Sequence, residues 1–175
     1  MAEKLIPLED AQSIVLSHVA PTNLVEIPVW QAAGFPLAED AVADIDISPF
    51  ANSAMDGYAV RSADLAQASG ETPVTLDVIG HEAAGHVFEG ALGPGETVRI
   101  MTGAPVPEGA DAVVKYEIVE VLDGDGNEGS HVRFSAPAKV GENVRSAAEE
   151  AHAGDVVIHA GEVVAPAGAG LLASA

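Results

Sequence analysis

One short stretch, residues 48–60, combines side chains that could do chemistry with residues that restrict the backbone. It reads Ser-Pro-Phe-Ala-Asn-Ser-Ala-Met-Asp-Gly-Tyr-Ala-Val and carries a single carboxylate, Asp56. Gly57, which directly follows that carboxylate, permits a backbone arrangement that a Cβ atom would prevent. Binding and catalytic groups tend to lie on loops of this kind, held in place by a scaffold. The stretch therefore predicts a rigid loop that presents Asp56 to a ligand.

A second stretch, residues 99–111, leads from a predicted strand into a turn rich in Gly and Pro. It reads Arg-Ile-Met-Thr-Gly-Ala-Pro-Val-Pro-Glu-Gly-Ala-Asp. Thr102 supplies a hydroxyl group, and Gly103 lets a ligand approach the backbone, whose N–H groups suit anions. The same residues would also serve in a purely structural turn, so their chemistry alone leaves both interpretations open.

A third stretch, Gly141-Glu-Asn-Val-Arg145, is followed closely by two carboxylates, Glu149 and Glu150. Arg145 is one of only 7 basic residues in the chain and could bind an anion. The alternative is a surface ion pair between Arg145 and a carboxylate, an interaction that usually contributes less than about 1 kcal/mol.

Three other patterns resemble known ion-binding sites but lack residues that those sites need. Residues 123–134 begin like an EF-hand loop but lack its sixth-position Gly and its final Glu, so a β-hairpin loop is favoured. His81 and His86 are one residue too far apart for a zinc-binding helix, and Gly85 lies between them. The Gly-rich run 90–95 lacks the Lys of a phosphate-binding P-loop.

The elements that must position these stretches are short. Helical segments are predicted at 8–19, where apolar residues recur with helical spacing, at 30–33 and at 168–175. Strands are predicted at 23–29, 74–79, 97–100, 112–121, 131–134, 155–159 and 162–164, the last two forming a tight hairpin. Residues 38–43 fit either a short helix or a strand.

Strand signals dominate the middle of the chain, while both ends carry helix signals. This pattern predicts an α+β, β-rich fold in which a β module, residues 50–140, is inserted into a helix-bearing module. Residues 1–49 and 141–175 would form that second module. The 18 Gly and 11 Pro agree with many short elements joined by turns.

The chain is strongly acidic, with 27 Asp and Glu against 7 Lys and Arg and a net charge of −20. Such a surface repels nucleic-acid backbones and anionic membranes, so neither partner is expected. The absence of Cys excludes disulfides, thiolate metal sites and a cysteine nucleophile. With no leader-like N-terminus and no apolar run of membrane-span length, the sequence predicts a soluble, cytoplasmic protein.

Taken together, the three stretches resemble the N-terminal region of the molybdopterin molybdotransferases, the MoeA and gephyrin E-domain family. The matching strings are NSAMDGYAVR at 52–61, RIMTGAPVPEGADAVV at 99–114, GENVR…EE at 141–150 and GDVVIHAGEVVAPAGAGLLAS at 154–174. Their order and spacing extend the resemblance over nearly the whole chain.

The resemblance implies the last step of molybdenum-cofactor synthesis. Adenylylated molybdopterin is bound, AMP is released, and molybdate is inserted with the assistance of Mg²⁺. It also implies a homodimer whose active cleft lies between the β-rich module of one subunit and a later domain of its partner. Catalytic roles fall on Asp56 and Thr102, with Asp56 as a possible Mg²⁺ ligand. The implied substrate-binding positions are Asn52, Ser53, Met55, Gly57, Gly103, Arg145 and Glu150.

Some features depart from that family. Ser146-Ala147-Ala148 stands where the family often has a basic, Gly-containing run, and Glu150 replaces a common Asp. The family's later domains would follow Ala175, so we expect these residues to be part of a longer chain and to be inactive alone. The alternative is a non-catalytic dimerisation or docking module derived from the same family.

Overall fold

The computed structural model describes residues 5–83 and 85–175, and the fold is α+β and rich in β structure, as predicted. The two α-helices described are α1 (Leu8–Leu16) and α2 (Pro166–Leu172). The strands are β1 (Ala41–Val42), β2 (Asn52–Ser53), β3 (Gly57–Val60), β4 (Val74–Glu82), β5 (Glu96–Ile100), β6 (Ala112–Lys115), β7 (Glu120–Val121), β8 (His131–Phe134), β9 (Val144–Arg145) and β10 (Val156–Ile158). Across the described ranges, neither helix has the length and apolar character that crossing a bilayer requires.

One six-stranded sheet organises the middle of the chain, in the order β6-β3-β5-β4-β8-β7. Its β4 and β5 run parallel, and its other neighbouring strands run antiparallel. Both faces of the sheet are covered, because one apolar cluster forms around Tyr58, Leu76 and Phe134 and another around Val98 and Ile100. The sheet therefore provides a rigid support for the loops at its edges.

Segments from the N-terminal and C-terminal parts of the chain pair with each other. Strand β1 pairs with β10, β2 pairs with β9, and Ile47 forms an isolated bridge with Ala151. Helix α2 lies against the 3₁₀ turn Val29–Gln31, so elements from both ends pack together. This is the predicted insertion of a β-rich segment between terminal segments. The division at residues 49/50 and 140/141 stays a prediction.

Several predicted elements differ in the structure. Helix α1 ends at Leu16 rather than at 19, and residues 23–28 have no strand partner, so the strand predicted there was wrong. The predicted hairpin around 160–161 was also wrong, because β10 pairs with β1 and Val163 bridges Pro36. The two halves of the predicted hairpin thus pair with the N-terminal part of the chain instead of with each other, which local sequence signals do not reveal.

The predicted rigid loop at 48–60 contains two strands, β2 and β3. All four residues of β3 are buried, which explains why the strand lacks the alternation that marks a half-exposed one. Gly57 is required here for space rather than for an unusual backbone angle. A Cβ atom at that position would collide with the carbonyl oxygen of Val114 on β6.

Candidate functional site

Asp56 and Thr102 are 46 residues apart in the sequence and are joined by two hydrogen bonds. Asp56 immediately precedes β3, Thr102 lies just beyond β5, and the antiparallel pairing of Gly57 with Ile100 brings them together. The Thr102 backbone N–H donates to Asp56 Oδ1 at 2.8 Å, and the Thr102 hydroxyl donates to the same oxygen at 2.7 Å. Both residues are exposed, so this predicted convergence forms an accessible acidic site.

The carboxylate of Asp56 is held in its ionised form. The backbone N–H of Thr102, then its hydroxyl, lower the pKa of Asp56 below its ordinary value of 3.8, and the nearby charge of Arg99 adds to the shift. Slight burial opposes these effects. Both bonds reach Oδ1, and Oδ2 has no hydrogen-bond partner within residues 5–83 and 85–175. Asp56 therefore offers one fixed oxygen and one oxygen available to a ligand.

The backbone around Asp56 is fixed as well. The Tyr116 N–H donates to the Asp56 carbonyl oxygen at 3.0 Å, which ties the carboxylate to the end of β6. Arg99 Nη1 donates to the carbonyl oxygen of Gly57, the next residue, at 2.7 Å. The position of the carboxylate is thus determined by contacts with three residues, Thr102, Arg99 and Tyr116.

The segment that carries Thr102 is bonded to both of its neighbours. On one side, the Gly103 N–H donates to the Ser53 carbonyl oxygen at 2.8 Å. On the other, the Met101 N–H donates to the carbonyl oxygen of Glu82 at 3.0 Å, where the parallel strands β4 and β5 end together. The carboxyl ends of neighbouring parallel strands commonly border ligand sites in α/β sheets. Glu82 itself is almost fully buried, with Oε1 accepting the Phe88 N–H at 2.7 Å.

Several of the predicted substrate-binding groups already form hydrogen bonds within the protein. The Ser53 hydroxyl donates to the Met55 carbonyl oxygen at 2.6 Å, and Asn52 is buried with its amide 3.5 Å from the Phe50 carbonyl oxygen. The Gly103 N–H likewise has its acceptor in Ser53. These contacts give Asn52, Ser53 and Gly103 a role in shaping the loop, and their assignment to substrate stays a prediction.

The remaining predicted residues lie in two places. Arg145 is on β9 opposite Asn52, so its backbone borders the Asp56 loop, and its side chain is exposed. Glu150 lies beside β10 and α2, in a separate hollow of about 390 Å³ that also includes Asp155 and Leu171. The proposed surface ion pair of Arg145 does not form within the part of the chain that is described.

Sequence reasoning missed Arg99 as a component of this site. Its guanidinium lies 4.3 Å from the ring centre of Tyr116 and 5.2 Å from that of Tyr58. The available signal was a rare basic residue at the start of the second stretch, three residues before Thr102 and within the strand that leads to it.

A larger hollow, of about 850 Å³, is lined by other parts of the fold. Its lining is mostly apolar and comes from residues 21–39 together with Gly161, Val164 and Leu172. Neither Asp56 nor Thr102 contributes to it. We place the candidate site at Asp56, because an ionised, accessible carboxylate offers chemistry that the apolar hollow does not.

The donor set at Asp56 suits a shared Mg²⁺ site rather than a cage made by this chain. No group of three or more His, Asp or Glu side chains suited to a metal occurs among the described residues. Protein-bound Mg²⁺ usually keeps several waters and takes one or two carboxylates together with substrate phosphates. The available Oδ2 of Asp56 fits one such position.

Known proteins resemble this chain over nearly its whole length. The family model of the MoeA N-terminal region, domains I and II, matches residues 6–175. The molybdopterin molybdenumtransferase of Haemophilus influenzae is 39% identical over 171 residues, which are 97% of this chain and 40% of that protein. Its counterpart in Bacillus subtilis is 44% identical over 138 residues, or 79% of this chain and 32% of that protein.

Solved structures that resemble this chain come from the same family as the sequence relatives. A crystal structure of the molybdopterin biosynthesis MoeA protein from Pyrococcus horikoshii superposes with a TM-score of 0.87 at 31% identity. It covers 98% of this chain, which in turn spans 44% of that protein. A second structure from the same organism gives a TM-score of 0.79 at 35% identity. The chain thus spans less than half the length of these relatives.

We predict that Thr102→Val raises the pKa of Asp56, because the variant loses the hydroxyl donor and keeps only the backbone N–H. A folded-state pKa below 3.8 means that ionised Asp56 stabilises the fold above about pH 4, and that this contribution is lost as the pH falls through the folded-state pKa. Thr102→Val should therefore reduce stability at neutral pH and flatten its loss on acidification. NMR titration of the Asp56 carboxyl carbon and urea denaturation at several pH values measure both effects.

The matched control is Thr75→Val, since Thr75 is an exposed β4 residue whose hydroxyl makes no hydrogen bond within the described chain. It should leave the titration of Asp56 unchanged. An Asp56 titration that is the same in Thr102→Val and in the wild type would show that the hydroxyl does not hold the carboxylate ionised.

Proposed function

This chain belongs to the family of MoeA N-terminal regions, and we propose that it supplies the Asp56 part of the active cleft of a molybdopterin molybdenumtransferase. The reaction would join molybdate to adenylylated molybdopterin and release AMP. The observation that carries this proposal is the accessible Asp56 carboxylate, with Oδ1 fixed by Thr102 and Oδ2 available. The names of the sequence relatives support a role in molybdenum-cofactor synthesis.

In this proposal, the residues of the chain act by position and charge. Asp56 Oδ2 would hold Mg²⁺ or orient the attacking water, while Thr102 would keep the carboxylate ionised and correctly oriented. Mg²⁺ held by Asp56 would supply Lewis-acid stabilisation of negative charge on substrate phosphates. The exposed guanidinium of Arg145, beside β2, would bind the anionic leaving group. We expect turnover only from a chain that also contains the later domains of the relatives.

We further propose that the longer protein forms a homodimer. We also propose that it is located in the cytoplasm. Helix α1 contains no buried residue, and an isolated helix of 9 residues is unstable in water. Apolar side chains continue along the N-terminal segment in exposed positions: Leu5, Leu8, Ile14, Val15, Leu16, Val19, Leu24, Val25 and Trp30. A surface of this kind favours coverage by a second copy or by a later part of the chain. The same surface favours the alternative, a non-catalytic docking module.

The central test of the proposed function is Asp56→Asn in the longer protein. Asparagine retains an oxygen that can accept the bonds from Thr102, but it loses the negative charge, so Mg²⁺-dependent AMP release should fall by about 100-fold or more. Asp44→Asn, a change at another exposed Asp, should leave the rate unchanged. An unaltered rate and cofactor yield in Asp56→Asn would remove the carboxylate from the mechanism and leave the docking alternative.

The proposed dimer predicts that Leu16→Asp lowers the mass measured by light scattering over a range of concentrations. The change places a charge on the exposed α1 surface, where Leu16 is 70% exposed. Val140→Asp is the control, because Val140 is 76% exposed but lies outside the N-terminal segment. Equal masses for wild type and both variants would count against an α1-mediated dimer.

A further inference from the structure

Arg99 is held rigidly at the edge of the candidate site. Its Nη1 donates to the Gly57 carbonyl oxygen at 2.7 Å, and its guanidinium lies over the rings of Tyr116 and Tyr58 at 4.3 and 5.2 Å. The two rings stack with their centres 6.1 Å apart. A planar guanidinium fixed in this way has lost much of its side-chain freedom before any ligand arrives.

Arg99 forms no ion pair within residues 5–83 and 85–175, although the full chain carries a net charge of −20. Arg133, on β8 of the same sheet, shows the contrasting arrangement, since its Nη1 lies 3.1 Å from Glu120 Oε2. A half-buried cation that makes no direct ion pair with the described carboxylates of an acidic protein is suited to an anion from outside the chain.

The guanidinium also retains unused donors. Arginine has five N–H bonds, and the hydrogen bonds of Arg99 within the described chain are made through Nη1 alone. Its Nε–H and Nη2–H groups have no acceptor among the described residues, and the residue is only half-buried. These two nitrogens form the edge of the guanidinium that binds tetrahedral oxyanions in a bidentate manner.

We propose that Arg99 binds a phosphoryl group of the ligand, and that a neighbouring oxygen of the same ligand meets Asp56. The proposal rests on the proposed function and adds a phosphate-binding residue to that site. A carboxylate that shares Mg²⁺ with a phosphate, next to an arginine that neutralises the same phosphate, is a common arrangement in phosphoryl chemistry. Arg99 donates to the carbonyl oxygen of Gly57, the residue that directly follows Asp56, so the guanidinium and the carboxylate flank the same short segment.

The test measures binding of pyrophosphate, with Mg²⁺ present, to the protein that carries this chain. Isothermal titration gives the affinity, and the NMR signal of the Arg99 Nε–H group reports contact directly. In Arg99→Met the affinity should fall by about tenfold or more, the loss expected for charge-assisted hydrogen bonds. Arg99→Lys keeps the charge and most of the stem, and it should also bind more weakly because it lacks the planar edge. Arg133→Met is the matched control and should bind like the wild type.

Each outcome decides the proposal. Weaker pyrophosphate binding in both Arg99 variants, with a shifted Nε–H signal in the wild type, supports it. Wild-type affinity in Arg99→Lys and Arg99→Met, or no pyrophosphate binding to the wild type at millimolar concentration, overturns it. A parallel titration with molybdate identifies the source of the oxyanion, and an Arg99 effect on molybdate alone would overturn the assignment to phosphate. Failure of the proposed function would appear separately, as unchanged AMP release in Asp56→Asn despite pyrophosphate binding at Arg99.

Discussion

The hydrogen bonds from Thr102 to Asp56 connect the beginning of β3 to the loop after β5, and the candidate site depends on them. They fix one carboxylate oxygen, favour the ionised form of the group, and leave the second oxygen available. Neither residue could do this alone, because an exposed Asp turns freely and an exposed Thr has no charge. The contact exists only because the sheet pairs Gly57 with Ile100.

The sheet in turn depends on close packing at β3. All four of its residues are buried, and Gly57 leaves room for the β6 backbone where any Cβ atom would collide. Burial on both faces makes this strand a rigid base for the acidic group that precedes it. The positive charge of Arg99 is fixed on the same base, by the Gly57 carbonyl oxygen and two tyrosine rings. A strongly acidic chain thus holds a carboxylate and a guanidinium close to the same residue, Gly57, without a direct ion pair between them among the described residues.

Sequence reasoning found the family, the fold class and the convergence of Asp56 with Thr102, because long specific strings carried that information. It missed β3 because a strand buried on both sides reads as a continuous apolar run rather than an alternating one. It misplaced the partner of residues 156–158, because pairing with Ala41–Val42 depends on contacts between distant segments. Arg99 was overlooked since its importance comes from Tyr58 and Tyr116, which the sequence does not place around it.

The central claim is that Asp56 presents an ionised oxygen to a cation at the start of β3. Paramagnetic broadening by Mn²⁺, which favours the same oxygen ligands as Mg²⁺, tests this most directly in the presence of pyrophosphate. The account predicts that NMR signals of residues 55–57 and 101–103 broaden first in the wild type and stay sharp in Asp56→Asn. Broadening that begins at other carboxylates, or that is the same in both proteins, would contradict it.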